Sequence, residues 1–412
     1  MNRNFFLLIS GQGISQIGNS VFYLALSWFL LSQENGTREF ATIMLVNAIP
    51  GIVFPLFFGI VIDRLPKKWI LFFSDFFRSI VFIVMSYLYY INRLDFCSFI
   101  ILGFLNSIFS VVFDPTLSAT IPFIVEKGRL EKANSISNGL MSISGLIGLF
   151  LGGVLLQFIG VGGVLIFNSV SFLCAAFFEF CIQVPYFKSG KILNFSGFYG
   201  EIKESIIFVV KNPAIPYIMG IGLVLTLFIY PAGNVIFPIL LKNTIKVNEL
   251  FFSFIQSGYP LGIIIGTAII FLGKSETRKN PLGLMVVCSF IMGFNVLIWG
   301  LISRFYAVNN WANILILTLS VIFMGILTII IGIKAMTYMQ ANTPKRMLGK
   351  VFSLYQMFSS SLVPLGVMLY SIAVISLGAG VIFFYAFLIV VFLTLLIYIM
   401  GKWRAIKIEK VL

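Results

Sequence analysis

The sequence predicts an all-α membrane protein of twelve transmembrane helices in two pseudo-symmetric six-helix halves. Three observations lead there. Of 412 residues, 59% are apolar and only 10% charged, against about 25% charged in an ordinary soluble domain. The apolar residues fall into long runs, each matching the roughly 20 residues that a bilayer span requires. The two halves of the chain also repeat at a fixed offset: Leu130 matches Leu348, Lys132 matches Lys350, Ser135 matches Ser353, Gly148 matches Gly366 and Gly160 matches Gly378. So little polar surface excludes a cytosolic enzyme, a disordered chain and a disulfide-stapled secreted domain.

The runs are 5–31, 40–62, 69–91, 96–114, 136–159, 162–184, 215–241, 250–272, 281–302, 312–335, 350–377 and 379–400. They are too long for barrel strands and none alternates. The domain reading is an N-terminal half, 1–184, a linker, 185–214, and a C-terminal half, 215–412. Within the linker, Phe198, Ile202, Ile206 and Val209 share a helical face, which predicts an amphipathic helix on the membrane surface.

Net charge is +14, from 28 Lys and Arg against 14 Asp and Glu. In a soluble protein this suggests nucleic acid; here it follows topology. Odd-numbered loops hold five of the 28 (Arg38, Arg93, Lys242, Lys246, Arg304), helices hold Arg78 and Lys334, and the remaining 21 lie at the termini and in even loops. That asymmetry places both termini in the cytoplasm of a bacterial plasma or inner membrane. With no His, and with Cys97, Cys174, Cys181 and Cys288 lacking ligand spacing, no metal site and no cofactor are expected. The expected partners are a small-molecule substrate, protons and membrane lipid, without nucleic acid, and a monomer is expected.

Several residues stand out inside the runs. Gln12, Gln16, Asn19 and Tyr23 form a polar stripe on the first helix, which lipid would penalise. Thr226, Tyr230 and Asn234 are spaced four apart on the seventh helix, Gln256 and Tyr259 lie on the eighth, and Ser107 and Ser110 precede Asp114 on the fourth. All are candidates for a substrate cavity; the alternative is interhelical hydrogen bonding alone. Asp75 and Arg78, three apart, share a helix face as a structural pair or a coupling site. Glu179 lies near the end of the sixth helix.

The sharpest local pattern is Gly59-Ile-Val-Ile-Asp63-Arg64-Leu65-Pro66-Lys67-Lys68. It resembles the loop motif of the major facilitator superfamily, G-x-x-x-D-R-x-x-[RK]-[RK], between helices 2 and 3. Phe113-Asp114-Pro115 through Pro122 to Asn134 is similar to the helix 4–5 signature of an exporter branch that includes macrolide-efflux proteins and the enterobactin exporter. Thr343-Pro344 with Leu348-Gly349-Lys350-Val351-Phe352-Ser353 resembles that branch's helix 10–11 loop. Asp63 is placed to face the positive N-terminal end of the eleventh helix near Gly349. The resemblance implies that Lys67 reaches Asp114 at a cytoplasmic gate.

It also implies that Gly145, Gly148, Gly152 and Gly153 correspond to a glycine motif of antiporters, although Leu146 stands where that motif has proline; ordinary small-residue packing is the compatible alternative. Relatives often carry Asp where this chain has Asn19, and an amide exchanges no proton. A proton carrier is then to be sought at Asp114 first, or at Asp75, Glu179 or Asp63. The implied function is secondary export of amphipathic organic molecules (a drug, macrolide or siderophore-like metabolite) by alternating access with proton antiport. A lysolipid or lipid-like flippase is the alternative within the fold, and a non-transporting scaffold or receptor the alternative outside it. A nucleotide-driven pump is disfavoured because no G-x-x-x-x-G-K-[ST] loop occurs.

Overall fold

The computed structural model describes residues 2–31, 36–185, 195–245, 249–273, 280–305, 311–377 and 379–409. These are almost entirely helical: α1 (Arg3–Leu31), α2 (Gly36–Val53), α3 (Pro55–Arg64), α4 (Lys67–Tyr90), α5 (Phe96–Ile124), α6 (Leu130–Cys181), α7 (Phe195–Lys211), α8 (Ile215–Val224), α9 (Phe237–Ile239), α10 (Glu249–Leu272), α11 (Leu282–Phe305), α12 (Trp311–Asn342), α13 (Leu348–Leu377) and α14 (Ala379–Glu409).

Where these depart from the twelve apolar runs, backbone chemistry explains it. The second run is two helices bent by 53°. Pro50 inside α2 and Pro55 at the start of α3 donate no backbone hydrogen bond, so the ladder breaks between them. The fifth and sixth runs form one unbroken register, Leu130–Cys181, except at Gly160, whose φ of 63° turns the chain back. Side chains with a Cβ resist that conformation. The seventh run widens into π turns at Leu225–Ile229, Ala232–Ile236 and Leu240–Ile245 around Pro231 and Pro238.

Nine helices among the described residues have the length and apolar character of a span, and one of them, Lys127–Cys181, has 55 residues. At 1.5 Å per residue that is about 80 Å, enough for two passes. With Gly160 as a turn, the bent pair as one span and α1 included, the chain is a twelve-span membrane protein. The linker's amphipathic stretch is realised as α7, where Val209 is buried and Ile206 exposed. The side chains of Phe198 and Ile202, and residues 186–194, lie outside the described residues.

The chain divides into two compact units, 1–205 with 343–357, and 206–342 with 358–412. In the first unit α6 packs along α1 and α4. A Cβ on Gly148 would meet Ser20 Cβ at 2.6 Å and Ile17 O at 2.7 Å, so α1 and α6 touch backbone to backbone there. Phe82 stacks on Phe172 (centroids 5.6 Å apart) and meets Phe22 edge-on at 4.8 Å. In the second unit, Trp299 lies between Phe237 and Phe383, at 4.2 and 5.8 Å. Asp95 caps α5 by accepting from the Ser98 amide at 2.9 Å. The Ser98 hydroxyl and amide hold this exposed carboxyl below its ordinary range.

Candidate gate and buried charge cluster

The Gly59–Lys68 stretch ends α3, turns at Leu65 and Pro66, and starts α4. This leaves Asp63 on the last turn of α3, facing the entry of α13. A short 3-10 turn, Lys345–Met347, precedes α13, so the first amides of that helix have no partner within it. Asp63 supplies one. Its Oδ1 accepts from the Gly349 N–H at 2.7 Å and its Oδ2 from the Lys350 N–H at 3.1 Å. Two charge-assisted bonds at a helix N-terminus combine hydrogen bonding with the helix dipole.

The approach requires glycine on both sides. A Cβ on Gly349 would lie 2.7 Å from Ile62 and 2.8 Å from Asp63 Oδ1, and one on Gly59 would lie 2.9 Å from Ser353 Cβ.

The lysines beside this clasp are held by aromatic rings. Lys67 Nζ donates to Ile62 O at 3.2 Å and sits 4.7 Å from the centroid of Phe123. Lys345, on the turn before α13, lies at the same distance from the same ring. Lys68 lies over Phe180 at 4.9 Å. Arg64 is half-buried. The expected pairing of Lys67 with Asp114 does not occur among the described ion pairs: Asp114 is exposed on α5, and the cation whose field reaches it is Arg78.

Arg78 is the hub of a second cluster. Its guanidinium donates to Asp75 Oδ1 at 3.3 Å, to Asn106 Oδ1 at 3.0 Å and to Asn19 Oδ1 at 3.4 Å, and it lies 4.0 Å over the Phe172 ring. Arg78, Asp75 and Glu179 are all buried. Spacing of three along α4 joins the pair, and the α1 and α5 amides complete the guanidinium's fork.

The polar stripe of α1 is therefore divided. Asn19 is turned to Arg78, Gln12 accepts from the Ser137 hydroxyl at 3.0 Å, Gln16 is half-buried and Tyr23 is exposed.

The sequence of known proteins adds identity to this geometry. The Major Facilitator Superfamily model matches residues 8–367. The chain belongs to the Major Facilitator Superfamily. Macrolide efflux protein A of Streptococcus pyogenes is 22% identical over 365 residues, covering 89% of this chain and 88% of that protein. The multidrug efflux pump Tap of Mycolicibacterium fortuitum is 22% identical over 318 residues, covering 70% and 76%.

Among solved structures, a bacterial homologue of the iron transporter ferroportin in its outward-facing state matches with a TM-score of 0.75 and 15% identity, over 98% of this chain and all of that one. The E. coli fucose:proton symporter matches with a TM-score of 0.68 at 14% identity, over 97% and 98%. These likenesses establish the fold, and family membership makes the chain a transporter rather than an enzyme.

The remaining candidates of this superfamily member fall into three groups. Ser107 and Ser110 are half-buried on α5. In the second unit Tyr230, Asn234 and Tyr259 are exposed and Gln256 is half-buried, while Thr226 donates to Gly222 O at 2.9 Å and Asn234 to Tyr230 O at 2.9 Å. Of the α6 glycines, Gly148 and Gly152 face α1 closely, Gly145 more loosely, and Gly153 faces open space.

Two residues that the sequence reading passed over carry the clusters: Phe123 and Asn106. An amide inside an apolar run is itself a signal, because a span tolerates it only when it is used.

Proposed function

We propose that this transporter exports amphipathic organic compounds by alternating access with proton antiport, the substrate being a drug, macrolide or siderophore-like metabolite. The observation that carries the reading is the clasp of Asp63 on the Gly349 and Lys350 amides. A carboxylate gripping a helix end by two bonds is a contact that can be released and re-made, as a latch in alternating access requires. The efflux function of the named relatives supports the outward direction.

The Tyr230, Asn234, Gln256 and Tyr259 group offers amides and aromatic surface without charge. That suits bulky ligands of loose geometric demand. The loop bearing Asp63 and both termini are assigned to the cytoplasm of the cell membrane, and the working unit is a monomer.

Expression in an efflux-deficient bacterium, screened against a chemically diverse toxin panel with and without a protonophore, tests the reading. Resistance that the protonophore abolishes is expected. Resistance unaffected by it removes antiport, and unchanged sensitivity to the whole panel removes export of such compounds. In a background cleared of native cysteines, Lys127→Cys is expected to be shielded from impermeant thiol reagents in intact cells and Asn92→Cys to react. The opposite pattern reverses the orientation.

A further inference from the structure

The Arg78 cluster is not electrically closed. Asp75 and Glu179 are both fully enclosed, with side chains at 0% exposure. Asp75 Oδ2 and both carboxyl oxygens of Glu179 have no hydrogen-bond partner. Phe82 of α4 stacks on Phe172 of α6 and Phe72 meets Phe180, so Asp75 and Glu179 lie on the two facing stretches between these contacts, where the charges of Asp75 and Arg78 act on Glu179. One guanidinium therefore faces two sealed carboxyl groups. A sealed charge without a partner is costly, so the site calls for one more positive charge. A hard metal cation requires six or more oxygens at fixed distances, and no metal-holding group occurs among the described residues. A proton requires one.

A route to the site runs along α4. Phe82, Arg78 and Asp75 succeed one another at about one helical turn each. Beside Phe82 lies a cavity lined by Tyr23, Asn47, Gly103 and Asn106, with room for a single water, about 10 Å³. Asn47 Oδ1 is buried there without a partner. Asn106 lines the same cavity and holds Arg78 by its oxygen. Asn106 thus ties the cavity wall to the guanidinium, and the guanidinium donates to Asp75; the proton itself moves on water beside them, since neither an amide nor a guanidinium gives one up.

We propose that Asp75 and Glu179 share one exchangeable proton, reached through the Asn47–Asn106 cavity. The other ionisable groups facing the cluster are Asp114 from α5, which acts on both Asp75 and Arg78, and Tyr23 from α1. From α2 the facing group is the uncharged Asn47. Proton uptake cancels one of the two carboxylates, so that Arg78 is balanced by the other and its hold on Asn19 and Asn106 changes with it. Occupancy inside the unit is thereby felt on α1 and α5. The site deepens the antiport reading and rests on it for its role, but its detection does not depend on transport.

Infrared difference spectra of the full-length protein in liposomes, taken between mildly acidic and mildly alkaline buffer, test it. A protonated-carboxyl C=O band is expected in wild type, lost in Glu179→Gln and in Asp75→Asn alike, and kept in Asp114→Asn. Asn47→Leu, which fills the cavity, should keep the band and slow its deuterium shift. A band that survives in either folded Glu179→Gln or folded Asp75→Asn, or one lost in Asp114→Asn alone, overturns the proposal.

If neither carboxyl variant is recovered folded, carbodiimide labelling of wild type decides. Adducts on Glu179 or Asp75 support the site, and adducts on neither overturn it. Erythromycin uptake into the same liposomes separates the two ideas. A band that behaves as expected while a pH gradient drives no erythromycin leaves the proton site standing and removes macrolide antiport.

Discussion

In the second unit Asn295, Ser320 and Trp299 close on one another; in the first, Asp75, Arg78 and Glu179 do not. Asn295 Nδ2 donates to Ser320 O at 3.1 Å, the Ser320 hydroxyl donates to Asn295 Oδ1, and the Trp299 indole N–H donates to that hydroxyl. Every group is neutral and each has its partner. The Arg78 cluster of the first unit buries three ionisable groups and leaves three carboxyl oxygens unpartnered. Both units are built from packed helices, so the contrast is one of chemistry rather than architecture. A closed neutral network fixes a core. An open charged one has a free energy that changes with what it binds, and that is the property a driven transporter must locate somewhere.

The largest expected effect breaks the charged side of the comparison. Arg78→Met keeps an unbranched apolar stem, though a shorter one, and removes the cation that, among the described residues, acts on Asp75. Removing one partner of a buried pair costs about 3–5 kcal/mol, so a marked loss of thermal stability is expected, read in detergent from the reactivity of buried Cys288 with a thiol dye. A near-normal unfolding temperature would mean that the cluster is already neutral without Arg78.

Ser320→Ala breaks the neutral side. It orphans the Trp299 N–H and the Asn295 oxygen, at about 1–3 kcal/mol for each buried group left unpaired. The expected outcome is lower stability with transport per folded molecule unchanged. A selective loss of transport would erase the distinction between the halves.

How much of this was legible beforehand depends on whether a local rule governed it. The twelve runs were readable because bilayer thickness sets their length, and the Gly160 break because that glycine falls in the gap between the runs 136–159 and 162–184. The meeting of Asp63 with Gly349 was readable because a carboxylate and a helix N-terminus attract on general grounds, and the loop motif singled out which carboxylate.

The partner of Lys67 was not readable. The motif resemblance suggested Asp114, but the ammonium is taken by a carbonyl five residues back and by Phe123. Aromatic partners far apart in sequence leave no periodic trace. The α1 stripe was legible only as a polar face, for a related reason. Spacing places Asn19 on a polar face, yet only packing decides that the face meets Arg78. Likewise Gly145, Gly148, Gly152 and Gly153 share one stretch of α6, but Gly153 is one residue, about 100°, round the helix from Gly152 and meets nothing.

A milder change sharpens the comparison at the latch. Asp63→Asn retains shape and loses charge. A charge at a helix N-terminus is worth about 0.3–1 kcal/mol when exposed and up to about 2 when partly buried. Asp63 is half-buried, so the balance between latch states should shift by roughly two- to thirtyfold. Expression and unfolding temperature should stay close to wild type while transport falls. Asp63→Glu, longer by one methylene, should not restore it, because Gly349 and Ile62 leave no slack at the clasp. Full transport in Asp63→Asn would reduce the clasp to a packing contact.

The smallest expected effect concerns Phe123. Two lysines, one opening α4 and one on the turn before α13, lie 4.7 Å from its centroid. Each cation–π contact is worth about 0.5–1 kcal/mol at an exposed site. Lys345 is exposed and Lys67 buried, so the second contact belongs at the upper end of that range. Phe123→Leu preserves the apolar bulk and removes both contacts, and transport should fall by less than in Asp63→Asn.

The double variant is more informative than either single one. Asp63 holds α13 by its first amides, and Phe123 holds it by Lys345, four residues before Gly349. If both restrain the same entry turn, freeing it once leaves little for the second change to release. The double variant should then resemble Asp63→Asn rather than the sum. Strict additivity, by the reasoning of a mutant cycle, would show that the ring and the carboxylate act on separate elements. The latch would then be the Asp63 clasp alone, with the two lysines serving only to place charge at this end of the bundle.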